Sequence, residues 1–93
     1  MKEINESLGQ LIKDYRGKKG FTQLELSQQL GYDTPQFVSI LERGMAKVPL
    51  NVIGQLIVIL GIPEKKIMKL LTSAFQTELK TQISLGKSKA VAG

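Results

Sequence analysis

Residues 20–44 read GFTQLELSQQLGYDTPQFVSILERG, and this stretch predicts two short helices joined by a tight turn. Thr22 and Glu25 have the spacing of a capping box, in which each side chain accepts a hydrogen bond from the other residue's backbone N–H. Gly31 is placed to end the first of these helices in the left-handed conformation. We therefore expect only two or three residues around Gly31 to connect the two helices.

The second helix of this stretch has its own start and stop signals. Thr34 is expected to be its N-cap and Pro35 its first helical residue, and Gly44 follows its end. Its apolar stripe consists of Phe37, Val38 and Leu41, and its other side carries Gln36, Ser39, Ile40 and Arg43. Two consecutive capped helices with a short connection have the sequence form of a helix-turn-helix.

Apolar patterns on both sides of this stretch predict three more helices. The first has its stripe over residues 4–15 and is expected to end within the Gly- and Lys-rich residues 17–20. The fourth begins at Pro49 and ends at Gly61, and the fifth begins at Pro63. No strand alternation is present in the sequence, so the expected fold is all-α with five helices.

The fifth helix is longer than a five-helix domain requires. Its apolar stripe continues beyond residue 71 to Gly86, where we expect the helix to end. Residues 1–71 would then form the helix-turn-helix domain, residues 72–86 an extension of helix five, and residues 87–93 a flexible basic tail.

Three apolar residues on that extension would be exposed on a monomer: Phe75, Leu79 and Ile83. Because an exposed apolar ridge marks an interface, we predict that they form a dimer interface. The alternative is that helix five folds back on its own domain.

The composition excludes most kinds of catalytic or metal site. The 93 residues contain no Cys and no His, so neither a thiolate nucleophile nor an imidazole base or ligand is present. We expect no enzyme, no catalytic residues, no metal and no cofactor. The net charge of +5 favours a polyanionic partner, nucleic acid before membrane, although residues 64–93 carry +4 of it.

The chain contains no recognisable targeting or membrane segment. Its first ten residues, MKEINESLGQ, have mixed charge and no apolar core, unlike a signal peptide. The most apolar stretch, residues 50–62, is shorter than the roughly 20 residues of a membrane-spanning helix. We expect a cytoplasmic protein without a membrane partner.

Several residues inside and outside the 20–44 stretch recur together in one known family. They are Arg16, Gly20 to Gln23, Ser27, Leu30-Gly31, Glu42-Arg43-Gly44 and Leu60-Gly61-Ile62. By these marks, residues 4–71 resemble the phage-repressor and Cro-type helix-turn-helix family, also called the xenobiotic-response-element type. Each mark is weak alone, and together they are specific. The resemblance implies a lambda-repressor-like fold with an extended C-terminal helix.

The resemblance also implies roles for individual residues. Helix 34–44 would be the recognition helix in the major groove of double-stranded DNA. The base-reading residues would be Gln36, Ser39 and Ile40, and the phosphate-contacting residues would be Gln23, Arg43, Lys47 and Lys19. Gln23 could instead brace the next helix. Arg16 and Glu42 would form a buried structural ion pair.

The chain departs from the common family pattern in two places. The turn between the two helices is one residue longer than in the commonest form. Ile40 stands where an Asn or Arg is more usual, so this residue could contact a thymine methyl, belong to the core or belong to a protein interface.

The expected function is a sequence-specific transcriptional regulator, with repression as the expected mode. It would bind a pseudo-palindromic operator as a homodimer and be associated with the nucleoid. The alternative is a protein-interaction module on the same fold, such as an antitoxin or a subunit that docks on a larger partner through helix five. The apolar residues that favour this alternative are Ile40, Val58, Phe75 and Leu79.

Overall fold

The computed structural model describes residues 2–92, which form five helices joined by short connections. The helices are α1 (Lys2–Lys19), α2 (Gln23–Gln29), α3 (Gln36–Glu42), α4 (Leu50–Leu60) and α5 (Glu64–Ala92). No strand occurs within residues 2–92, and the predicted all-α fold class is confirmed.

One apolar core holds the helices together, and α1 lies at its centre. α1 packs against α3, α4 and α5, while α2 packs against α3. Every helix contributes buried side chains to this core, among them Ile12, Leu26, Leu41, Leu56 and Ile67. Burying such side chains supplies the main favourable free energy of folding, and it fixes which face of α3 points inward.

α1 passes very close to the C-terminal end of α3 at Gly9. A Cβ atom at this position would lie 2.7 Å from the backbone oxygen of Glu42, and it would also overlap the backbone oxygen of Leu41. Backbone atoms in a packed core cannot move aside as the end of a flexible side chain can. Gly9 therefore allows the observed contact between α1 and α3, a role that the sequence pattern did not reveal.

The connection between α2 and α3 is longer than predicted. It comprises residues 30–35, whereas two or three residues were expected. Gly31 does adopt a positive φ, of 92°. The predicted start of α3 is also wrong, because the helix begins at Gln36 after Pro35 and has no side-chain hydrogen bond as a cap. Thr34 and Pro35 thus belong to the turn, and the fixed φ of Pro35 leads into the helix without a cap.

α5 continues through Gly86 to Ala92, so the prediction that it ends at Gly86 is wrong. Residues 87–92 are helical and are not the flexible tail that was expected, while Gly93 lies outside the described residues. A glycine inside a helix costs only about 1 kcal/mol relative to alanine. Lys89 in the last turn also suits the negative end of the helix dipole.

The length of α5 dominates the shape of the molecule. Its 29 residues correspond to about 43 Å at 1.5 Å per residue, and the longest dimension of the molecule is 53 Å. Within residues 2–92, no helix is both long enough and apolar enough to cross a membrane.

Candidate nucleic-acid interface

The first turn of α2 is fixed by the predicted capping box. The backbone N–H of Glu25 donates to Thr22 Oγ1 at 3.0 Å, and the backbone N–H of Thr22 donates to Glu25 Oε1 at 2.9 Å. The hydrogen bond from the Thr22 backbone lowers the pKa of Glu25 most, and the bond to the Thr22 side chain adds to this effect. The start of α2 is therefore well defined.

Arg16 and Glu42, the predicted structural ion pair, lie together between α1 and α3. Arg16 Nε donates to Glu42 Oε2 at 2.5 Å, and Arg16 Nη2 donates to Glu42 Oε1 at 3.1 Å. The remaining nitrogen, Nη1, donates to the backbone oxygen of Phe21 at 2.9 Å. The side chains are only 16% and 3% exposed. The hydrogen bond to Glu42 raises the pKa of Arg16, whereas burial acts in the opposite direction.

Gln23 joins the same cluster from the start of α2. Its Nε2 donates to Glu42 Oε1 at 3.0 Å, so Glu42 accepts hydrogen bonds from both α1 and α2. The sequence left two roles open for Gln23, contact with a phosphate or bracing of the next helix. In the structure its amide makes the bracing contact.

Ser27 marks the place where α2 and α3 cross. Its side chain is fully buried, and Ser27 Oγ accepts a hydrogen bond from the backbone N–H of Val38 at 3.4 Å. A larger residue would push α3 away from α2, because this interior position is closely packed. The small residue therefore helps to set the position of α3.

The faces of α3 differ sharply in exposure. Val38, Leu41 and Glu42 are buried on its inner side. On its outer side Gln36 is exposed, and Ser39 and Ile40 are half-buried. The structure thus brings the three predicted base-reading residues together on one face, and the core and the ion pair hold the opposite face.

One of the predicted phosphate-contacting residues, Arg43, continues this outer face. Arg43 is exposed, and its Nε donates to the backbone oxygen of Ser39 at 3.3 Å. Lys47 is also exposed, in the connection between α3 and α4, where it lines a cavity with Ile4 and Leu8 of α1. Among the residues that the structure describes, Arg16 and Glu42 form the only ion pair, so no carboxylate neutralises Arg43 or Lys47 there.

Lys19, the remaining predicted phosphate residue, lies next to the end of α4. Its Cε and Nζ are 3.7 and 3.9 Å from the position that a Cβ of Gly61 would occupy. Gly61 is the left-handed C-cap of α4. A cation at the C-terminal end of a helix interacts favourably with the helix dipole, so the position of Lys19 has a structural explanation.

A group of two lysines around Tyr15 was not predicted. Lys18 Nζ lies 4.4 Å and Lys66 Nζ 5.4 Å from the centre of the Tyr15 ring, as expected for cation–π contacts. The spacing of Tyr15 and Lys18 on one helix face could have indicated the first contact. No local pattern could have indicated the second, because Lys66 is 51 residues from Tyr15.

The predicted dimer-interface residues are exposed on α5. Phe75 is 58%, Leu79 44% and Ile83 55% exposed. They do not fold back on the helices of their own chain, which was the alternative for helix five.

No family model, curated protein or solved structure matches the chain.

Proposed function

We propose that this chain is a sequence-specific DNA-binding regulator with a lambda-repressor-like helix-turn-helix domain, in which α3 enters the major groove of duplex DNA. The observation that carries the proposal is the division of α3 into a fixed inner face and an accessible outer face. Val38 and Leu41 anchor the inner face in the core. The outer face presents polar groups beside a cation, as a helix that reads base edges must.

The outer face of α3 offers groups that suit the major groove. The Gln36 amide can pair with adenine through two hydrogen bonds, and the Ser39 hydroxyl can donate to or accept from several base edges. The half-buried Ile40 offers an apolar contact for a thymine methyl group. Of the three residues, Gln36 is exposed and the other two are half-buried. We therefore assign Gln36 the largest share of the base specificity.

Phosphate contacts would position α3 in the groove. Arg43 is an exposed cation on the outer face and is the strongest candidate, and Lys47 is an exposed cation in the connection that follows α3. Gln23 and Lys19 remain candidates, but each would have to leave a contact within the protein, with Glu42 and the end of α4 respectively. Their contribution to affinity would therefore be smaller.

The regulator would act as a homodimer on a pseudo-palindromic operator. Two recognition helices about 34 Å apart would reach successive major-groove segments on one side of the duplex. Repression would follow from occupation of the operator, without a cofactor and without catalysis. Such a protein would be found with the nucleoid in the cytoplasm.

A second candidate function rests on the exposed apolar residues. Val58 on α4 is 82% exposed, in addition to Phe75 and Leu79 on α5. The same fold could then be a protein-interaction module, such as an antitoxin or a subunit that docks on a larger partner through α5. This function would need no contact between α3 and DNA.

Selection from random duplex DNA tests the first function against the second. The purified chain should enrich a palindromic sequence, and Gln36→Ala should change or relax the enriched bases within each half-site. Enrichment of no sequence by a folded chain would contradict the proposed regulator and favour the interaction module.

A further inference from the structure

An exposed ridge runs along one side of α5. Its seven members follow each other at steps of three or four residues, and every one is exposed: Met68, Thr72, Phe75, Leu79, Ile83, Gly86 and Ala90. We call this set the α5 ridge. Ala90 comes 22 positions after Met68, and six steps cover this distance, about 3.7 residues each, which is close to the 3.6 residues per turn of a straight helix. The ridge therefore stays on one side of α5 for about 33 Å.

The outer half of α5 has no packing partner within its own chain. Ile67 is buried and Leu70, Leu71 and Ala74 are half-buried against the domain, but every residue from Leu79 to Val91 is exposed. Isolated helices shorter than about 12–15 residues are marginally stable in water, because packing supplies most of the stability of protein helices. A partner along the α5 ridge would supply that packing.

We propose that the partner is a second copy of this chain, whose α5 lies parallel to the first and in register with it. Parallel pairing places each ridge residue opposite its own copy across a twofold axis. Phe75, Leu79 and Ile83 of both chains would then form the apolar centre of the contact. Gly86 and Ala90 are small, so the two helices can approach closely near their ends.

The charges beside the ridge favour the parallel orientation. On the helical repeat of 100° per residue, one flank of the ridge carries Lys65, Lys69, Lys80 and Lys87, and the opposite flank carries Glu64, Glu78, Gln82 and Lys89. In a parallel pair, each flank faces the opposite flank of the other helix, so Glu64 lies across from Lys69 of the second copy. In an antiparallel pair, like flanks meet, and four lysines would face four lysines.

The parallel pair rests on the proposed function in one respect, because it would be the homodimer of the proposed regulator. It can be tested without DNA, so its failure is separate from a failure of DNA binding.

Disulfide cross-linking of the full chain gives the orientation directly, because the natural sequence contains no cysteine. Thr72→Cys and Gly86→Cys place single thiols at two ridge positions about 21 Å apart along the helix. Mild oxidation joins two thiolates into one disulfide, and the oxidant takes up the two electrons. Ser84→Cys, on the side of α5 opposite the ridge, is the matched control for random collision.

We expect each of the two ridge variants alone to form a covalent dimer, at least tenfold faster than Ser84→Cys. Cross-linking at only one of the two positions, or only in a mixture of variants with thiols at opposite ends of the ridge, would indicate an antiparallel pair and overturn the proposal. A monomer in light scattering at tens of micromolar would also overturn it.

Exchanging two charges tests whether the opposite flanks of the two helices face each other, and it needs no introduced thiol. Lys69→Glu should weaken the dimer, roughly two- to fivefold for each ion pair that is lost. The double variant Glu64→Lys/Lys69→Glu should restore the affinity of the natural chain, because the exchanged charges face each other again. If the double variant is as weak as the single one, these two residues do not face each other and the parallel register is wrong.

Discussion

Arg16 donates two hydrogen bonds to the carboxylate of Glu42, and this contact links the last turn of α1 to the last turn of α3. The third nitrogen of the same guanidinium group binds the backbone just before α2. A single side chain therefore connects α1, α3 and the start of α2. This connection adds to the core contacts of Val38 and Leu41, which already fix the face of α3 that points inward.

Removal of one partner from this ion pair should be strongly destabilising. Arg16→Met leaves the buried Glu42 carboxylate without its cation, and we expect a loss of about 3–5 kcal/mol in the free energy of unfolding. The measurement is urea denaturation followed by circular dichroism. The double variant Arg16→Met/Glu42→Leu should regain much of the loss, because it leaves no buried charge unpaired. An unchanged stability of Arg16→Met would show that the contact is unimportant.

Two glycines of α1 should respond oppositely to the same substitution. Gly9→Ala forces a methyl group against the backbone of α3, and we expect a loss of about 1–3 kcal/mol or more in the free energy of unfolding. Gly17→Ala meets no atom within 4 Å, so it should gain about 0.5–1 kcal/mol from better helix propensity. Thermal unfolding of the two variants checks both signs. Equal effects would contradict the close approach at Gly9.

The capping box should make stability depend on pH through Glu25. Its pKa is lower in the folded chain than the ordinary value of 4.5. Because the unfolded chain binds the proton more readily, the ionised Glu25 stabilises the fold above pH 4.5, and this contribution is lost as the pH falls through the lowered pKa.

The comparison variant for this effect is Glu25→Gln, which keeps the capping geometry but has no charge to titrate. The stability difference between the natural chain and Glu25→Gln should be constant near neutral pH and shrink below pH 4.5. A pKa of Glu25 at or above its ordinary value, measured by NMR titration, would refute the lowering.

Local signals predicted much of the fold. The capping box of Thr22 and Glu25 and the end of α4 at Gly61 were predicted from neighbouring residues and are confirmed. Such features depend on interactions within one turn, so the sequence contains all the information that they need. The predicted start of α3 is wrong because Thr34-Pro35 resembles the start of a capped helix. In the structure the backbone at Pro35 leads into the helix without a side-chain cap.

Features that depend on distant residues were predicted less well. The contact of Gly9 with α3 joins positions more than 30 residues apart, and no periodic pattern in the sequence indicates it. α5 is longer than predicted because a lone glycine, Gly86, does not end a helix by itself. The roles of Gln36, Ser39 and Arg43 came from the family resemblance, and they stay predictions until DNA binding is measured.

Loss of the Gln36 side chain should alter base preference more than general affinity. We expect Gln36→Ala to lose about 1–3 kcal/mol of discrimination at one base pair of each half-site. Gln55→Ala is the matched control, because Gln55 is exposed on α4 and its amide contacts only its own helix. Competition binding with single-base variants of the enriched duplex gives the comparison. If both variants keep the natural preference, Gln36 does not read a base.

The most direct test of the proposed function is the affinity of the natural chain for its enriched palindrome and for a scrambled duplex of the same composition, across a salt series. We predict that the palindrome binds at least about 1,000-fold more tightly at physiological salt. The logarithm of the affinity should fall steeply with the logarithm of salt concentration, by about one unit for each phosphate contacted. Equal affinity for both duplexes, or no measurable affinity for either, would contradict a sequence-specific DNA-binding regulator.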